Sequence, residues 1–332
     1  MKPRSVSVIL TVRNDPDGCA VVLDSLLAQR RPPCEIIIVD GGSTDGTLGI
    51  IRAQMAVSPL IRLIESPGAN IARGRNIGIQ AARGEIVATT DGGCRAEPDW
   101  LENLIRPFEQ DDGIEFVAGF YRIDPRSLLE TVVGLATMRG QLDPVDPEKF
   151  NPSARSVAYT KDVWRRAGGL PEGLDFAEDT LFDHKVRRLG VGWAFAEDAI
   201  VHWRPRGSLR SIAKQFYRYG TGRGQCGIGA AEFRYNIRNA ALLMLSALGP
   251  VVLPAAAIVP GALFLYFYVW TFHPKAMRIA RRTKRWTAYP LCVLVMWVVL
   301  CSNTIGYLVG GRRKRRGRTE RRHQRDVRLA EA

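Results

Sequence analysis

The sequence predicts an α/β fold with a mostly parallel sheet, followed by hydrophobic helices near the carboxyl end. Apolar segments of strand length alternate with segments of helical spacing from residue 5 to about residue 120. Several of these strands lack apolar–polar alternation, as expected where helices cover both faces of a sheet. Residues 240–272 and 287–310 contain no charged side chain, which is typical of membrane-associated helices.

The predicted elements follow one another in a regular order. Strands are expected at 5–12, 35–39, 60–65, 85–90 and 114–120, with helices at 20–29, 47–57, 71–83 and 100–109. The pattern is less regular beyond residue 120. There we expect helices near 127–141, 161–168, 179–189 and 208–219, and short strands at 155–160 and 199–203.

Composition and charge exclude several classes of protein. Of the 332 residues, 46% are hydrophobic and 24% are charged, which excludes a disordered or collagen-like chain. The net charge of +14 is concentrated near the carboxyl end, in the basic segments 273–286 and 311–332. Because these segments flank the uncharged stretches, we assign them to anionic lipid headgroups and expect no nucleic-acid partner.

The number of membrane passes is left open by the sequence. Glycine and proline interrupt residues 240–272, which therefore form either one long kinked helix or a hairpin of two short passes. Residues 287–310 are long enough for one pass. Two passes place the basic loop 273–286 outside, three place the tail outside, and re-entrant hairpins keep both inside. Two buried core helices are the alternative to a membrane region.

The cysteines and the amino-terminal segment indicate the compartment. The six cysteines contain no Cys-x-x-Cys pair, so reduced thiols on the cytosolic side fit better than a disulfide framework. Residues 6–12 are only just long enough for the apolar core of a signal peptide, and no small-residue cleavage site follows them, so we interpret them as the first strand.

Acidic turns follow three of the predicted parallel strands. They are Arg13-Asn14-Asp15, the loop 40–46 and Asp91-Gly92-Gly93. In open α/β sheets, ligands bind beyond the carboxyl ends of the strands. Asp40 can accept hydrogen bonds from a ribose or a base, although a tight turn with Asp45 as a helix cap explains the same residues. Asp91 can hold a hard divalent cation.

Three later features carry further candidate side chains. Glu178-Asp179 precedes a helix, where a carboxylate can act as a general base or simply cap the helix. His202 follows a strand, and a lone histidine is more often structural than a ligand. The stretch from Gln215 to Tyr219, which includes Arg218, can present an amide and a guanidinium, or pack as an amphipathic helix.

Taken in order, these motifs resemble the family 2 glycosyltransferases, which have a GT-A fold with a Rossmann-like nucleotide-binding half. The resemblance runs from about residue 5 to 222, and its most specific part is Ile36–Thr47. It implies that Asp179 is the catalytic base, with Glu178 beside it. It implies a nucleotide-sugar site built from Arg13, Asn14, Asp15, Asp40, Asp45, Arg75, Asn76, Gln215 and Arg218.

The resemblance also implies a divalent metal, Mg²⁺ or Mn²⁺. Asp91-Gly92-Gly93 stands where the family has Asp-x-Asp, so Gly93 replaces the second carboxylate. His202 lies where such enzymes often have a late metal-binding histidine. The implied metal ligands are therefore Asp91 and His202.

These observations predict a membrane-anchored enzyme with its catalytic domain in the cytosol. We expect a catalytic domain over 1–222, a linker over 223–239, a membrane region over 240–310 and a disordered basic tail over 311–332. The expected reaction is inverting sugar transfer from a nucleotide sugar to a hydroxyl of a lipid-linked or cell-envelope glycan. The alternatives are a polyprenyl-phosphate acceptor, or a non-catalytic membrane adaptor that keeps the fold.

Overall fold

The computed structural model describes residues 4–138, 140–148, 150–231, 233–239, 241 and 258–330. The chain forms two compact units. The sheet unit comprises Met1–Asp124 and Val145–Arg204, and the helical unit comprises Pro125–Pro144 and Pro205–Ala332. In this division the sheet unit ends at Arg204, and the stretch 125–144 belongs to the helical unit.

The sheet unit contains one eight-stranded sheet in the order β3-β2-β1-β4-β7-β6-β8-β5. The strands are β1 Val6–Val12, β2 Glu35–Asp40, β3 Ile61–Glu65, β4 Ile86–Thr89, β5 Cys94–Ala96, β6 Ile114–Ile123, β7 Val157–Thr160 and β8 Gly192–Trp203. The first four in spatial order are parallel, whereas β7 runs antiparallel to β4 and β6. The α/β class is confirmed, with a mixed second half of the sheet.

Helices of the sheet unit connect these strands, and their starts follow from capping residues. They are α1 Pro16–Leu27, α2 Thr47–Val57, α3 Ile71–Ala81, α4 Trp100–Gln110, α6 Lys161–Arg166 and α7 Glu178–Arg188. The Asp15 side chain accepts from the Gly18 N–H at the start of α1, where Pro16 occupies the first helical position. Asn70 likewise accepts from the Arg73 N–H at the start of α3.

Two glycines let α3 pack closely against β1 in the sheet. A methyl group added at Gly74 would lie 2.8 Å from Thr11 Cγ2, and one added at Gly78 would lie 2.6 Å from Ile9 Cγ2. Because these glycines lack side chains, the backbone of α3 can approach β1. The following residue, Arg75, is thereby held next to the carboxyl edge of the sheet.

A buried carboxylate joins β1, β2 and the segment before β4. Glu35 is fully buried, and its Oε1 accepts from Ser7 Oγ at 2.7 Å and from the Arg83 N–H at 2.6 Å. Its Oε2 pairs with Arg62 and with Arg83 Nε. Burial alone would raise the pKa of Glu35, but the bonds from Arg83, Ser7 and Arg62 outweigh it and hold the pKa below its usual value.

We expect Glu35→Gln to lower the free energy of unfolding by about 1.5–3 kcal/mol at pH 7, since bonds to a charged acceptor are lost. A depressed folded-state pKa contributes stability above about pH 4.5 that disappears as the pH falls through the folded pKa. The variant should therefore lose less stability than the parent between pH 5 and pH 3 in thermal melts. Parallel curves would contradict the assignment. Glu65→Gln, on an exposed side chain, is the control.

The helical unit contains two helices from the first part of the chain and three near its end. They are α5 Leu128–Thr137, α8 Leu209–Cys226, α9 Ile258–Phe267, α10 His273–Thr283 and α11 Ala288–Ala330, with a π-helical turn at Tyr268–Phe272 between α9 and α10. The basic segment 273–286, expected as a loop, is mostly the helix α10. The tail, expected to be disordered, continues α11 to Ala330.

One helix among the described residues is long and apolar enough to cross a membrane. It is the first part of α11, Ala288–Lys314, which has 27 residues and contains an 18-residue window with a mean hydropathy of 2.0. The question whether 240–272 forms one helix or a hairpin falls largely on residues 242–257, which lie outside the described part of the chain.

Glycines allow α8 and α11 to pack backbone against backbone. A methyl group added at Gly220 would lie 2.1 Å from the Asn303 carbonyl oxygen, and one at Gly306 would lie 2.1 Å from that of Tyr217. Gly224 and Gly310 make equivalent approaches. Glycines spaced four apart on both helices therefore form a close, mutual interface, as small residues do between membrane helices.

Because no side chain fits there, Gly306→Ala should lower the free energy of unfolding by about 1–3 kcal/mol, the usual cost of overpacking. The matched control is Gly311→Ala on the same helix, where an added methyl group meets no atom within 4 Å. Thermal unfolding in detergent would compare the two. Equal melting temperatures would contradict the interface.

Candidate active site

The turns after β1 and β2 are joined by side chains from the first predicted motifs. Asn14 Oδ1 accepts from the Thr44 N–H at 2.8 Å, and the Asn14 N–H donates to Ser43 Oγ at 2.9 Å. Asn14 has a φ of 53°, a left-handed conformation that asparagine tolerates better than most residues. These bonds hold both turns at the same edge of the sheet, where Arg13 is exposed.

The acidic residues of these turns organise the loops. Asp40 is almost fully buried, and its carboxylate accepts from the Gly42 and Ser43 N–H groups at 2.9 Å and from the Ser43 hydroxyl. Asp45 accepts from the Thr47 N–H and hydroxyl, which lowers its pKa. The Asp15 N–H donates to Thr47 Oγ1. These carboxylates therefore fix the shape of the loops at the carboxyl edge of β1 and β2.

Arg75 forms the centre of the site. Its Nη1 lies 2.8 Å from Glu178 Oε1 and its Nη2 lies 2.6 Å from Asp91 Oδ1. Only 4% of Arg75 is exposed. Burial would lower the pKa of Arg75, but Asp91 and Glu178 outweigh it and keep the guanidinium charged. One arginine therefore joins residues from three separate predicted motifs.

A second arginine, which the sequence analysis did not single out, faces the same carboxylate. Arg155 Nε lies 3.9 Å from Asp91 Oδ2. Its guanidinium carbon lies 4.5 Å from the centre of the Trp203 ring and 5.6 Å from that of Tyr121, which adds cation–π attraction. No motif surrounds Arg155 in the sequence, and only the fold brings it to Asp91.

The Glu178-Asp179 pair opens α7 after a backbone of unusual conformation. Ala177 has a φ of 63°, a left-handed geometry that costs a non-glycine residue energy and is common at functional sites. Glu178 is buried, whereas Asp179 is partly exposed and accepts from the Thr180 N–H. Burial raises the pKa of Glu178 to about 7, against the opposing effect of Arg75. Of the two carboxylates, Asp179 is therefore the one that solvent reaches.

A third carboxyl group lies one turn further along α7. Asp183 is buried, and burial, together with Asp179, raises its pKa well above its usual value. Asp179 and Asp183 are four residues apart and so share one face of the helix. Asp183 could not be recognised as a buried residue from the sequence, because an acidic residue inside a polar helix is typical of a solvated surface.

Asn76, expected in the nucleotide-sugar site, bonds to other parts of the protein. Its Oδ1 accepts from Trp164 Nε1 at 3.0 Å and from the Leu170 N–H at 2.9 Å. Its Nδ2 donates to the Leu170 carbonyl and to Glu172 Oε1, both at 2.9 Å. Both donors and the acceptor are engaged, so Asn76 fastens the 164–172 segment to α3 rather than facing outward.

The residues expected to hold a metal are not brought together. His202 Nε2 lies 2.9 Å from Glu97 Oε1, whereas its strand neighbour Trp203 faces Arg155. Since successive strand residues face opposite sides of a sheet, His202 points away from Asp91. Gly93 offers no side chain, and both Asp91 oxygens face guanidinium groups. The part of the chain that the structure describes contains no group of three His, Cys, Asp or Glu that could hold a metal.

Gln215 and Arg218 belong to the helical unit, on α8. Gln215 Nε2 donates to Tyr219 Oη at 2.9 Å, one helical turn further on, and Arg218 is exposed. Within their own unit, the two residues mark a polar face of α8, opposite the glycines that contact α11.

The strands are parallel, with acidic turns at their carboxyl edge and an arginine-linked pair of carboxylates beyond them. This arrangement is that of a GT-A type sugar transferase. The sequence agrees, because residues 7–142 match the family described as Glycosyl transferase family 2. Residues 7–142 therefore carry the match to this family, and together with the curated relatives the match supports a transferase enzyme.

Two curated relatives and one solved structure illustrate the similarity. The glycosyltransferase AglE of Haloferax volcanii is 29% identical over 229 residues, covering 65% of this chain and 72% of AglE. EpsH of Bacillus subtilis, also named as a glycosyltransferase, is 33% identical over 228 residues, covering 66% of this chain and 65% of EpsH. The mannosyltransferase PcManGT of Pyrobaculum calidifontis, solved with GDP-Man and Mn²⁺, has a TM-score of 0.60 at 20% identity, covering 93% and 88% of the two chains. That similarity supports the fold.

Proposed function

We propose that this enzyme transfers a sugar, with inversion, from a nucleotide-sugar donor to a hydroxyl group of a lipid-linked or cell-envelope glycan. One observation carries the proposal. Arg75 joins Asp91 and Glu178, so residues 75, 91 and 178–179 converge on one site although they lie in separate motifs. Independent turns and helix caps would not require such convergence.

The nucleotide would bind at the carboxyl edge of β1 and β2. The loop that Asp40 holds through its bonds to Gly42 and Ser43 lies at this edge. Arg13 is exposed beside this loop and can approach the negative charge of a nucleoside diphosphate. Gln215 and Arg218, which the sequence also predicts to bind the nucleotide sugar, lie on α8. Their role in binding the donor stays a prediction.

Asp179 acts as the general base in this proposal. It removes the proton from the acceptor hydroxyl, the resulting oxygen forms a bond to the anomeric carbon, and the bond from that carbon to the diphosphate oxygen breaks on the opposite face. Glu178 is tied to Arg75 and so positions the start of α7.

The charge of the leaving diphosphate would be stabilised by arginine rather than by metal. Arg75 and Arg155 both face Asp91, so a dication at that carboxylate would be repelled by two guanidinium groups and would find no second carboxylate. The residues present therefore do not fit the two-carboxylate metal site of the family. Fixed cations aimed at developing charge can supply electrostatic stabilisation themselves.

Removal of divalent ions tests this point. A catalytic metal contributes several kcal/mol, so its loss would lower the rate by about a thousandfold or more. We expect EDTA to lower sugar transfer by less than about tenfold, with recovery on dialysis. A collapse of activity in EDTA that Mn²⁺ restores would contradict the arginine assignment and leave the rest of the proposal intact.

The donor can be identified by thermal stabilisation. Ligands that bind only the folded state raise the melting temperature. UDP-, GDP- and TDP-sugars would be compared with the free sugars as controls, and any donor that gives a shift would be tested for transfer to membrane lipid extracts. If no nucleotide sugar shifts the melt and none is consumed, the glycosyltransferase proposal fails and the non-catalytic adaptor is favoured.

A further inference from the structure

Large apolar side chains are exposed on the helices near the carboxyl end. In and beside the π-helical turn, Trp270 is 70% exposed, and Trp286, just before α11, is 71% exposed. The apolar face, as we call it here, comprises Leu265, Tyr266, Val269, Trp270, Trp286, Leu294, Cys301, Ile305 and Leu308. Its last four members recur at intervals of seven, four and three along α11 and so share one side of that helix.

The opposite side of α11 contacts α8, and the two helices run in the same direction. Gly220 meets Asn303 and Gly224 meets Tyr307, so the pairing advances by four residues on both helices. Lys314 Nζ extends the contact by donating to the Cys226 carbonyl at 2.9 Å. In this register, the exposed Arg218 lies level with residues 301–307 of α11.

This register shortens the part of α11 that lipid can surround. A bilayer core that enclosed residues 301–310 would also enclose the level of Arg218, and charged side chains are costly there. The apolar residues before that level, 288–300, rise only about 20 Å, at about 1.5 Å per residue. A hydrocarbon core is about 30 Å thick, so this portion is too short to cross it.

Both basic segments are fastened to other parts of the helical unit. In α10, Lys275 Nζ donates to the Ala136 carbonyl at 3.1 Å, and Arg278 pairs with Asp143. The segment 125–144 connects β6 to β7 and is too short and too polar to cross a bilayer twice. In the tail, Lys314 bonds to the carbonyl oxygen of Cys226 at the end of α8.

We propose that the helical unit inserts its apolar face into one leaflet of an anionic membrane without crossing it. Both basic segments then lie on the same side of the membrane as the sheet unit. The six Lys and Arg side chains of 273–286 are placed for anionic headgroups, each worth about 1 kcal/mol near such a surface. This inference does not rest on the proposed reaction.

The side of each segment can be measured with a membrane-impermeant maleimide. Cys34 is exposed in the sheet unit and reports the side of that unit. Arg282→Cys and Thr319→Cys report the basic segments, and mass spectrometry locates the label in right-side-out and inside-out vesicles. All three positions should be labelled in the same vesicle orientation. Labelling of position 282 or 319 in the orientation opposite to Cys34 would overturn the proposal.

Binding to lipid tests the apolar face directly. Full-length protein in minimal detergent would be mixed with neutral vesicles or with vesicles containing 30% phosphatidylserine (about the anionic share of a cytosolic leaflet) and floated on a gradient. Trp270→Asp should reduce flotation at least about tenfold, whereas Val57→Asp, on an exposed apolar residue of the sheet unit, should not. Equal flotation of both variants, or no flotation of the parent protein, would overturn the proposal.

Discussion

Replacing Asp179 with Asn is expected to lower the turnover number of sugar transfer by about 10²- to 10⁴-fold, the range that general-base catalysis usually contributes. The amide keeps the size of the side chain but cannot take the acceptor proton. The dissociation constant for the donor should change little, because the proton transfer occurs only on the way to the transition state. Initial rates and calorimetric donor binding would be measured on the same preparation.

The matched control is Asp175→Asn, four residues earlier, where the carboxylate is exposed. That variant should retain full turnover. If Asp179→Asn also retained most of its activity, a hydroxyl acceptor with Asp179 as base would be wrong. A phosphate acceptor, which needs no deprotonation, would then be the better explanation.

The half of the fold that carries the motifs could be predicted from the sequence because its signals are local. Runs such as Val8–Val12 and Ile36–Asp40 are buried along nearly their whole length, and such continuous apolar strands are distinctive. One topological rule about strand ends predicted that the turns after β1 and β2 lie at the same edge of the sheet, where Asn14 bonds to Ser43 and Thr44. In contrast, β5 was missed, because three residues around an exposed Arg95 give no pattern.

The contacts of single side chains could not be predicted in this way. Arg155 reaches Asp91 only because β7 pairs with β4 in antiparallel fashion, and nothing near residue 155 indicates that pairing. His202 was expected beside Asp91, but the alternation of β8 directs it to Glu97. Asn76 was expected in the nucleotide-sugar site, yet its partners lie about 90 residues away in sequence, in α6 and the segment that follows it.

The helical unit shows a different limit of sequence reasoning. Basic residues predict a solvated loop and a disordered tail when each segment is considered alone. In the structure, α10 packs beside α5, and α11 continues past its apolar part because α8 lies along it. A hydropathy value is calculated for one helix alone and ignores the helix packed beside it. In our proposal it therefore overestimates the length of α11 that lipid can surround.

Arg75→Met is expected to have the largest effect on stability, a loss of about 3–5 kcal/mol in the free energy of unfolding at pH 8, because it leaves Glu178 and Asp91 without their shared partner. Methionine keeps most of the volume, so the loss reports charge rather than packing. Arg73→Met, on an exposed arginine of the same helix, should cost less than about 0.5 kcal/mol. Thermal and chemical unfolding of the three proteins would be compared.

The pH dependence of that loss separates an electrostatic cause from a cavity. Glu178 already has a raised pKa, and removing the nearby cation must raise it further. Between pH 8 and pH 5 the variant therefore binds a proton more readily in its folded state than the parent does, and protonation relieves its unpaired charge. The stability difference between parent and variant should shrink as the pH falls. A difference that stays constant across this range would indicate lost packing around Arg75 and would contradict its role as the charge that joins Asp91 to Glu178.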